Sequence, residues 1–493
     1  MLYWPQDLHM PSSAATTAHL AAPLSRQSGQ TLVDQLVQRF TQRIEQHLLA
    51  PGTRLPSVRE CARTHQISAY TVVAAYDQLQ AQGLVEARSQ RGYFVRHAAP
   101  ANRGRAVQGR PAPHPFQATV PIDATTLIRG MFHEPDAQPM PGLGTLPPAW
   151  LDAAMLGAAL RRVTQGTKLA ALSLQYGNPA GDERFRQAMT HRLAEYGLKA
   201  EASQIISTVG ATQALDLVSR TLLQHGDAVM VDEPGWAVEF ARLTALGMRV
   251  LPIPRGPNGP DLSVMAAVAQ AHRPKLYVTV SVLHNPTSAM LAPGHAHQVL
   301  RLAEAHDFHV LEDDVYAFLA PAHATRLAVL DELRRVISVG SFSKILAPGW
   351  RVGYIAAPHE LVERITNTKL LATLSTAPLF EQAIAHCMEQ GQLRRHAERL
   401  GQQLDAARAR CISLARGAQC RFVLPPQGLF GWVDTDVDTE HLTHHLLDAG
   451  WLIAPGALFH AQRQPRTLMR INMANSQDAA FWKALQVARR AMQ

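Results

Sequence analysis

The segment Gly340-Ser341-Phe342-Ser343-Lys344-Ile345-Leu346-Ala347-Pro348-Gly349-Trp350-Arg351 directly follows the apolar stretch Val336-Ile337-Ser338-Val339. That stretch predicts a buried parallel strand, so Lys344 comes just past a carboxyl end, where open α/β sheets bind ligands. The hydroxyls of Ser341 and Ser343 and the guanidinium of Arg351 suit a phosphate, and the lysine amine suits an aldehyde. None of the other five lysines has such neighbours in the sequence: Lys168, Lys199, Lys275, Lys369 and Lys483.

The composition indicates a protein of more than one domain that is not embedded in a membrane. The chain has 493 residues, 47% of them hydrophobic, and a net charge of +8. No apolar run reaches the roughly 18 residues that a membrane span needs. Residues 1–28 have no basic region typical of a secretory signal, and we expect a disordered leader there. Four scattered cysteines predict no disulfide framework and favour the cytoplasm.

The N-terminal part has the pattern of a winged helix-turn-helix. Apolar residues recur at helical spacing from Leu32 to Leu48, and a second helix is expected to start near Pro56-Ser57. Ser68 is a plausible N-cap of a third helix that ends before Gly83, and residues 84–95 predict a hairpin. Arginines are concentrated here, which permits nucleic-acid binding.

Residues 29–97 resemble the GntR-type DNA-binding domain. The similarity lies in Pro51-Gly-Thr-Arg-Leu-Pro-Ser-Val-Arg59, in Ile67-Ser68-x-x-Thr71-Val72 and in Arg91-Gly92-Tyr93-Phe94-Val95. The resemblance implies that double-stranded DNA is contacted by Arg54, Ser57, Arg59, Ser68, Tyr70, Thr71, Arg91 and Gly92. Ala69 stands where the family usually has arginine, so the operator is expected to differ or to bind more weakly. The alternative is a helical adaptor whose arginines are merely solvated.

Residues 98–142 are expected to form a linker rich in proline, glycine and arginine in its first half, and residues 143–493 form a second domain. Apolar strands alternate with helices in that domain, which predicts a mainly parallel sheet covered on both faces. The expected strands are 204–208, 228–231, 249–253, 276–280, 308–311 and 336–339, with a helix over 211–223 after the first.

The second domain resembles the fold-type-I aminotransferases, an α/β three-layer fold of the aspartate aminotransferase type that carries pyridoxal 5′-phosphate. Lys344 matches the lysine that forms the Schiff base with this cofactor. Glu312-Asp313-Asp314-Val315-Tyr316 resembles the family's Asp-x-x-Tyr, so Asp313 would pair with the pyridine nitrogen and Tyr316 with the ring 3-oxygen. Asn285 in His284-Asn285-Pro286-Thr287 would bind the same oxygen. The alternative for the acidic stretch is a magnesium site.

The same resemblance implies the rest of the site. The cofactor phosphate would be bound by Ala211, Thr212, Ser341, Ser343 and Arg351, and Trp236 would stack on the ring. Tyr176 matches a tyrosine that reaches the partner subunit's cofactor, which implies a homodimer. Arg470 matches the arginine that binds a substrate carboxylate, although a structural ion pair is the alternative. No metal site is expected, since His441, His444 and His445 lack a completing carboxylate.

The whole arrangement resembles the MocR subfamily of GntR regulators. The expected function is a transcriptional regulator whose pyridoxal phosphate senses a small amine or amino acid that replaces Lys344, or senses the cofactor itself. A working aminotransferase that binds DNA only incidentally is the alternative.

Overall fold

The computed structural model describes residues 24, 30–45, 49, 52–88, 91–96, 140–462, 464 and 466–492. The expected leader except Leu24 and most of the expected linker, together with Leu48, Ser89 and Gln90, lie outside these residues. The chain divides into two compact units, one that holds the first three helices and the hairpin, and one that holds nearly all later elements.

The first unit has the elements that the sequence predicts. Its helices are α1 (Leu32–Glu45), α2 (Val58–His65) and α3 (Ala69–Ala81), and its strands are β1 (Val85–Arg88) and β2 (Gly92–Val95). The N-caps are side chains: the hydroxyl of Ser57 accepts from Glu60 N, and that of Ser68 accepts from Thr71 N. Helix α2 therefore begins at Val58, slightly later than expected.

A central sheet organises the second unit. Its strands are β3 (Ile205–Thr208), β4 (Ala228–Glu233), β5 (Arg249–Gly256), β6 (Gly259–Pro260), β7 (Leu276–Thr279), β8 (His309–Asp313), β9 (Val336–Ser341) and β10 (Gly353–Ala356). The strand order is β3-β10-β9-β8-β7-β4-β5-β6. The four pairs β5-β4, β4-β7, β7-β8 and β8-β9 are parallel, which confirms the expected mainly parallel sheet. Strand β10 is antiparallel to its neighbours β3 and β9, and β6 is antiparallel to β5.

Helices cover this sheet and complete the unit. They are α4 (Ala153–Val163), α5 (Lys168–Ser173), α6 (Glu183–Ala194), α7 (Gly210–Leu222), α8 (Ala237–Ala245), α9 (Leu262–His272), α10 (Pro293–Ala305), α11 (Leu327–Asp331), α12 (His359–Thr373), α13 (Pro378–Glu389), α14 (Gln392–Gly417), α15 (Thr439–Asp448) and α16 (Ala479–Met492). Separate apolar clusters form the core of the large unit, with the central strands contributing to two of them. This layered burial makes the strands continuous apolar runs.

A smaller antiparallel sheet, in the order β11-β12-β14-β13, lies near the end of the chain. Its strands are β11 (Arg421–Phe422), β12 (Phe430–Asp434), β13 (Ala454–Pro455) and β14 (Leu468–Asn472). The residues that enter the unit from the N-terminal side are bound to this sheet, because Gly142 N donates to Leu452 O at 2.8 Å and Asn472 N to Pro141 O at 2.7 Å. We call residues 140–145 the junction segment.

Within the described part of the chain, no helix is both long enough and apolar enough to cross a membrane.

Candidate cofactor site and nucleic-acid interface

Lys344 lies in a turn three residues beyond the end of β9. Phe342 N donates to Val352 O at 3.2 Å, and Leu346 N donates to Phe342 O at 2.9 Å, which fixes the turn. The Lys344 amine donates to Gly144 O of the junction segment at 2.8 Å. Burial of the amine, followed by the positive charge of Arg470, lowers the Lys344 pKa to about 8. A large fraction of this amine is therefore neutral, and nucleophilic, slightly above neutral pH.

The three consecutive acids at the end of β8 have different partners. Glu312 accepts from the backbone N–H groups of Leu327 and Ala328 at 2.7 and 2.9 Å, and Asp314 accepts from Arg326 Nε at 2.7 Å. Asp313 Oδ1 is buried and has no hydrogen-bond partner among the described residues. Burial, with Glu239 and Asp314 nearby, raises the Asp313 pKa to about 7. Asp313 thus has an oxygen available for a buried cationic or protonated ligand.

Arg470 on β14 connects the remaining predicted residues of the ring site. Its Nη1 donates to Asn285 Oδ1 at 3.0 Å, and its Nη2 donates to Gly142 O at 2.6 Å. Asn285 also hydrogen-bonds Tyr316, whose pKa is raised mainly by burial. Arg470 Nε, by contrast, is buried without a hydrogen-bond partner in the described chain. Among the described residues, the guanidinium is therefore bound to neutral groups and forms no ion pair.

Two aromatic rings flank the Arg470 guanidinium. Its central carbon lies 4.3 Å from the centroid of Phe430 and 5.1 Å from that of Phe459. Burial lowers the Arg470 pKa to about 10. Since no carboxylate neutralises it among the described residues, a ligand carboxylate would find a preorganised bidentate donor.

The residues predicted to bind phosphate meet at the N-terminus of α7. Arg351 Nη1 donates to Ser343 Oγ at 3.1 Å, and Ser341 Oγ donates to Ser343 Oγ at 3.0 Å. Gly210 has φ of +74°, a conformation that favours glycine, and a Cβ there would lie 2.6 Å from Arg351 Nη2 and displace the guanidinium. No side chain caps α7, which leaves the first N–H groups, including those of Ala211 and Thr212, as donors.

Trp236 and Tyr176 differ in how the structure places them. Trp236 lines a small cavity together with Asp313 and His284. Tyr176 is 85% exposed in the single chain and is not brought to the other predicted residues. Its expected role depends on a second subunit.

On the first unit, the predicted DNA-contacting residues lie on adjacent elements. Residues 52–55 pair with β2, since Gly52 N donates to Val95 O and Leu55 N to Tyr93 O, both at 2.8 Å. The Arg54 guanidinium lies over Gly92, whose added Cβ would be 3.3 Å from Arg54 Nε and whose φ is +97°. Arg59 is exposed on α2, and Tyr70 is 83% exposed on α3.

A family model for class I and II aminotransferases matches residues 144–487. The chain belongs to the class I and II aminotransferase family. A model for bacterial regulatory proteins of the gntR family matches residues 32–95 in addition. A GntR-type domain fused to a class I and II aminotransferase domain is the architecture of the MocR subfamily, which confirms the sequence-based resemblance.

Transcriptional regulators and an aminotransferase structure are similar to this aminotransferase-family chain. It is 25% identical to the uncharacterised HTH-type transcriptional regulator YisV of Bacillus subtilis (strain 168), over 95% of this chain and 98% of YisV. It is 29% identical to the HTH-type transcriptional regulator TauR of Rhodobacter capsulatus, over 92% and 94%. The crystal structure of the α-aminoadipate aminotransferase LysN of Thermus thermophilus, complexed with N-(5′-phosphopyridoxyl)-L-leucine, matches with a TM-score of 0.65 at 23% identity. That match covers 71% of this chain and 92% of LysN, and it supports the fold-type-I assignment.

Several residues of the aminotransferase domain were not singled out from the sequence. The backbone carbonyls of Gly142 and Gly144 receive hydrogen bonds from the two principal cations of the site, and Phe430 and Phe459 flank one of them. A carbonyl leaves no side-chain signal, and single aromatic residues in apolar strands look like core.

A buried polar network also lies beside the Trp236 cavity. Asp232 accepts from Arg255 Nη1 at 2.9 Å, from Thr279 Oγ1 at 2.7 Å and from Tyr277 Oη at 2.5 Å. These residues come from β4, β5 and β7, which are adjacent only in the folded sheet. β5 contains two arginines, Arg249 and Arg255, and the sequence does not indicate that Arg255 is the buried one.

Proposed function

We propose that this chain is a DNA-binding transcriptional regulator that carries pyridoxal 5′-phosphate on Lys344 and uses it to sense a small amine or amino acid. Cofactor binding is supported by a buried, readily deprotonated Lys344 together with a buried Asp313 oxygen that has no hydrogen-bond partner among the described residues. DNA binding is supported by the GntR-type domain.

The residues fit the cofactor in charge and in chemistry. Asp313 would hold the pyridine nitrogen, Asn285 and Tyr316 the ring oxygen, and Trp236 the ring face. Ser341, Ser343, Arg351 and the α7 N-terminus, with Ala211 and Thr212, would hold the phosphate. When bound, pyridoxal phosphate supplies an aldehyde that condenses with primary amines and a ring that accepts electrons.

Arg470 would select effectors that carry a carboxylate. Its guanidinium is buried between two rings and bound only to neutral oxygens among the described residues, so a carboxylate would gain a charge-assisted, bidentate contact. A simple amine would not use this residue. Replacement of Arg470 therefore separates the two effector classes.

The junction segment offers a route from ligand to DNA-binding domain. Gly144 O accepts from Lys344 and Gly142 O accepts from Arg470, so both cations that would contact an amino acid are bound to this segment. A carboxylate at Arg470 would compete with Gly142 O, and replacement of Lys344 by the effector amine would free the Lys344 amine to donate to Gly144 O again. Since the chain to the DNA-binding domain leaves from residue 140, ligand binding would change the segment where the two domains are joined.

Cofactor, DNA and effector can be tested with one preparation of the full-length chain. Selection from random DNA pools should yield an operator, and its affinity should be steeply salt-dependent. One or more amines or amino acids should change both cofactor absorbance and operator affinity, with a coupling of about 1–3 kcal/mol that also appears in ligand affinity. Backbone amide exchange of residues 140–146 should change with the same ligands and not with DNA-inactive ones.

A working aminotransferase is the second candidate, because Lys344, Asp313 and Arg470 give a site with the groups that transamination requires. Turnover with a 2-oxo acid acceptor, measured beside operator affinity, distinguishes the two. Fast multiple turnover without any ligand effect on DNA affinity would favour the enzyme. Slow turnover with a clear effect on DNA affinity would favour the regulator. An effector that proves to be pyridoxal phosphate itself would shift operator affinity without any added amine.

A further inference from the structure

The exposed face of α3 is unusually apolar for a helix that binds DNA. Ala69, Tyr70 and Val73 are its exposed residues in the first two turns, and Tyr70 and Val73 are exposed by 83% and 36%. At 100° per residue these three positions fall on one face, which Asp77 and Gln80 continue further along the helix. The opposite face packs into the core through Val72, Ala75, Tyr76 and Leu79.

The hydroxyls at the start of α3 already have structural partners. Ser68 Oγ accepts from Thr71 N at 3.0 Å and lies 2.8 Å from Thr71 Oγ1. Residues 69–76 are Ala-Tyr-Thr-Val-Val-Ala-Ala-Tyr, a stretch without arginine, lysine, asparagine or glutamine. These are the side chains that recognise guanine and adenine by bidentate hydrogen bonds in the major groove. The first two turns of α3 therefore have little means of reading purines.

We propose that α3 reads the 5-methyl groups of thymine, through Tyr70 with Val73 and Ala69, and that thymines at fixed positions specify the operator. This inference rests on the proposed DNA-binding function. Among the groups that base pairs display in the major groove, the thymine methyl is the apolar one, and it is the group that apolar side chains contact. Ala69 stands where the family usually has arginine. The helix therefore loses a polar contact to DNA and presents an apolar side chain, which suits a thymine methyl group.

The surroundings of this face fit a duplex. Arg59 is exposed on α2, and Arg54 lies against Gly92 next to exposed Arg91 of the hairpin. These cations can bind phosphates and position the helix, while they supply little sequence information by themselves. A duplex is therefore the occupant that satisfies both the apolar helix face and the cations beside it.

The test uses the full-length protein and an operator selected from random DNA. Each thymine of a half-site is replaced singly by deoxyuridine, which removes only the methyl group. At one or more positions we expect binding to weaken about fourfold, the value of one buried methyl group. An operator with cytosine at the same position should be bound more weakly than one with 5-methylcytosine, because 5-methylcytosine carries the methyl group on a base other than thymine.

Variants assign the contact to the helix. If Tyr70 contacts the methyl group at a given position, Tyr70→Ala should bind operators with thymine or uracil there equally, and the same holds for Val73→Ala at a position that Val73 contacts. Tyr70→Phe keeps the aromatic ring and should still bind the thymine operator more tightly than the uracil operator. Gln80→Ala, a change on the same face further from the N-terminus, is the matched control and should discriminate as the unaltered protein does. Circular dichroism would show that the variants fold, as expected for exposed side chains.

Each outcome is decisive. Operators that tolerate uracil at every position, or a thymine preference that survives Tyr70→Ala, Val73→Ala and Ala69→Gly alike, would overturn this inference while leaving the regulator function intact. If the DNA pools yield no enriched sequence, the proposed function fails, and the inference fails with it.

Discussion

Lys344 and Lys369 are both buried lysines whose pKa is lowered to about 8, mainly by desolvation, yet their surroundings differ. Lys369 on α12 donates to Ser207 Oγ and Thr376 Oγ1, both at 3.3 Å, and Thr376 donates in turn to Glu381. Lys344 donates to one backbone carbonyl and lies near Asp313, whose Oδ1 has no partner among the described residues. The sequence neighbours distinguish Lys344 from Lys369, whereas burial and a lowered pKa, which the sequence neighbours do not address, are common to both.

This comparison shows which property marks a cofactor lysine. Burial alone disfavours the ammonium form wherever a lysine lies, so a low pKa is common to a structural and a reactive amine. Lys369 has side-chain acceptors that satisfy it within the fold. Lys344 lies near Asp313, whose Oδ1 has no partner among the described residues. Ser343 and Arg351, which follow β9 as Lys344 does, hydrogen-bond each other beside the start of α7, where no side chain caps the helix. Within the described residues, the unpaired oxygen of Asp313 and the adjacent anion site, rather than the lysine pKa, distinguish Lys344 from Lys369.

The largest expected difference between the two lysines is in covalent labelling by pyridoxal phosphate. Borohydride should fix the cofactor to the peptide that contains Lys344, and Lys344→Met should abolish that label. Lys369→Met, the matched control, should keep the label while losing about 1–3 kcal/mol of stability, because the buried hydroxyls of Ser207 and Thr376 lose a hydrogen-bond donor. Peptide mass spectrometry and urea unfolding measure the two effects. Equal labelling of both lysines would contradict the assignment of Lys344 as the cofactor lysine.

The neighbouring acids provide a second test. Asp313→Asn should weaken cofactor affinity by about 3 kcal/mol, roughly a hundredfold, because a buried protonated ring nitrogen would lose its counter-charge. Asp314→Asn should instead lower the free energy of unfolding, since Arg326 would be left buried without its carboxylate. Cofactor titration followed by fluorescence, with urea unfolding of the same variants, separates the two results. Similar effects of both changes on cofactor affinity would contradict the assignment of Asp313.

Sequence reasoning predicted the architecture and the order of the site residues because both depend on local patterns. The β-branched stretch before Lys344 and the N-cap serines Ser57 and Ser68 are such patterns, and the structure has the expected strand and helices there. Strand β10 (Gly353–Ala356) was missed, since it contains glycine, alanine and only one β-branched residue, whereas the equally short β3 and β7 are richer in β-branched residues. Its antiparallel pairing depends on contacts with β3 and β9, which are distant in sequence.

The contacts of the site show the same limit. The order of Asn285, Asp313, Lys344 and Arg470 along the chain indicated a common site, but not which atoms would pair. The hydrogen bonds of Lys344 and Arg470 to the junction segment join residues 200 and 328 positions apart. Their acceptors are backbone carbonyls, which every residue has, so the sequence alone cannot distinguish these two glycines from others.

The pH dependence of cofactor attachment is a third and smaller effect. Because the neutral amine is the nucleophile, the rate of attachment should rise with pH and level off above the Lys344 pKa of about 8. Arg470→Gln should move this midpoint upward by up to about one pH unit, since removal of a nearby positive charge stabilises the Lys344 ammonium. Lys369→Met should leave the midpoint unchanged. Stopped-flow absorbance across about pH 6.5–10, in half-unit steps, would measure the rate of attachment and its midpoint. A midpoint near the pKa of an ordinary lysine would contradict a buried Lys344 amine with a lowered pKa.

The smallest expected effect compares the stability of the two lysine variants at alkaline pH. Each lysine has a folded-state pKa of about 8, below the ordinary value of 10.5, so the unfolded chain binds more protons between these values. The cofactor-free protein should therefore gain stability as pH rises from 8 to 10, by about 1–2 kcal/mol for each lysine, and lose that gain as pH falls. Lys369→Met should flatten this rise with or without cofactor. Lys344→Met should flatten it in the cofactor-free protein, because the substitution removes the titrating amine. Urea unfolding of the cofactor-free proteins at pH 8 and pH 10 measures each difference. A rise in stability that survives both substitutions unchanged would contradict the low pKa of these two buried amines.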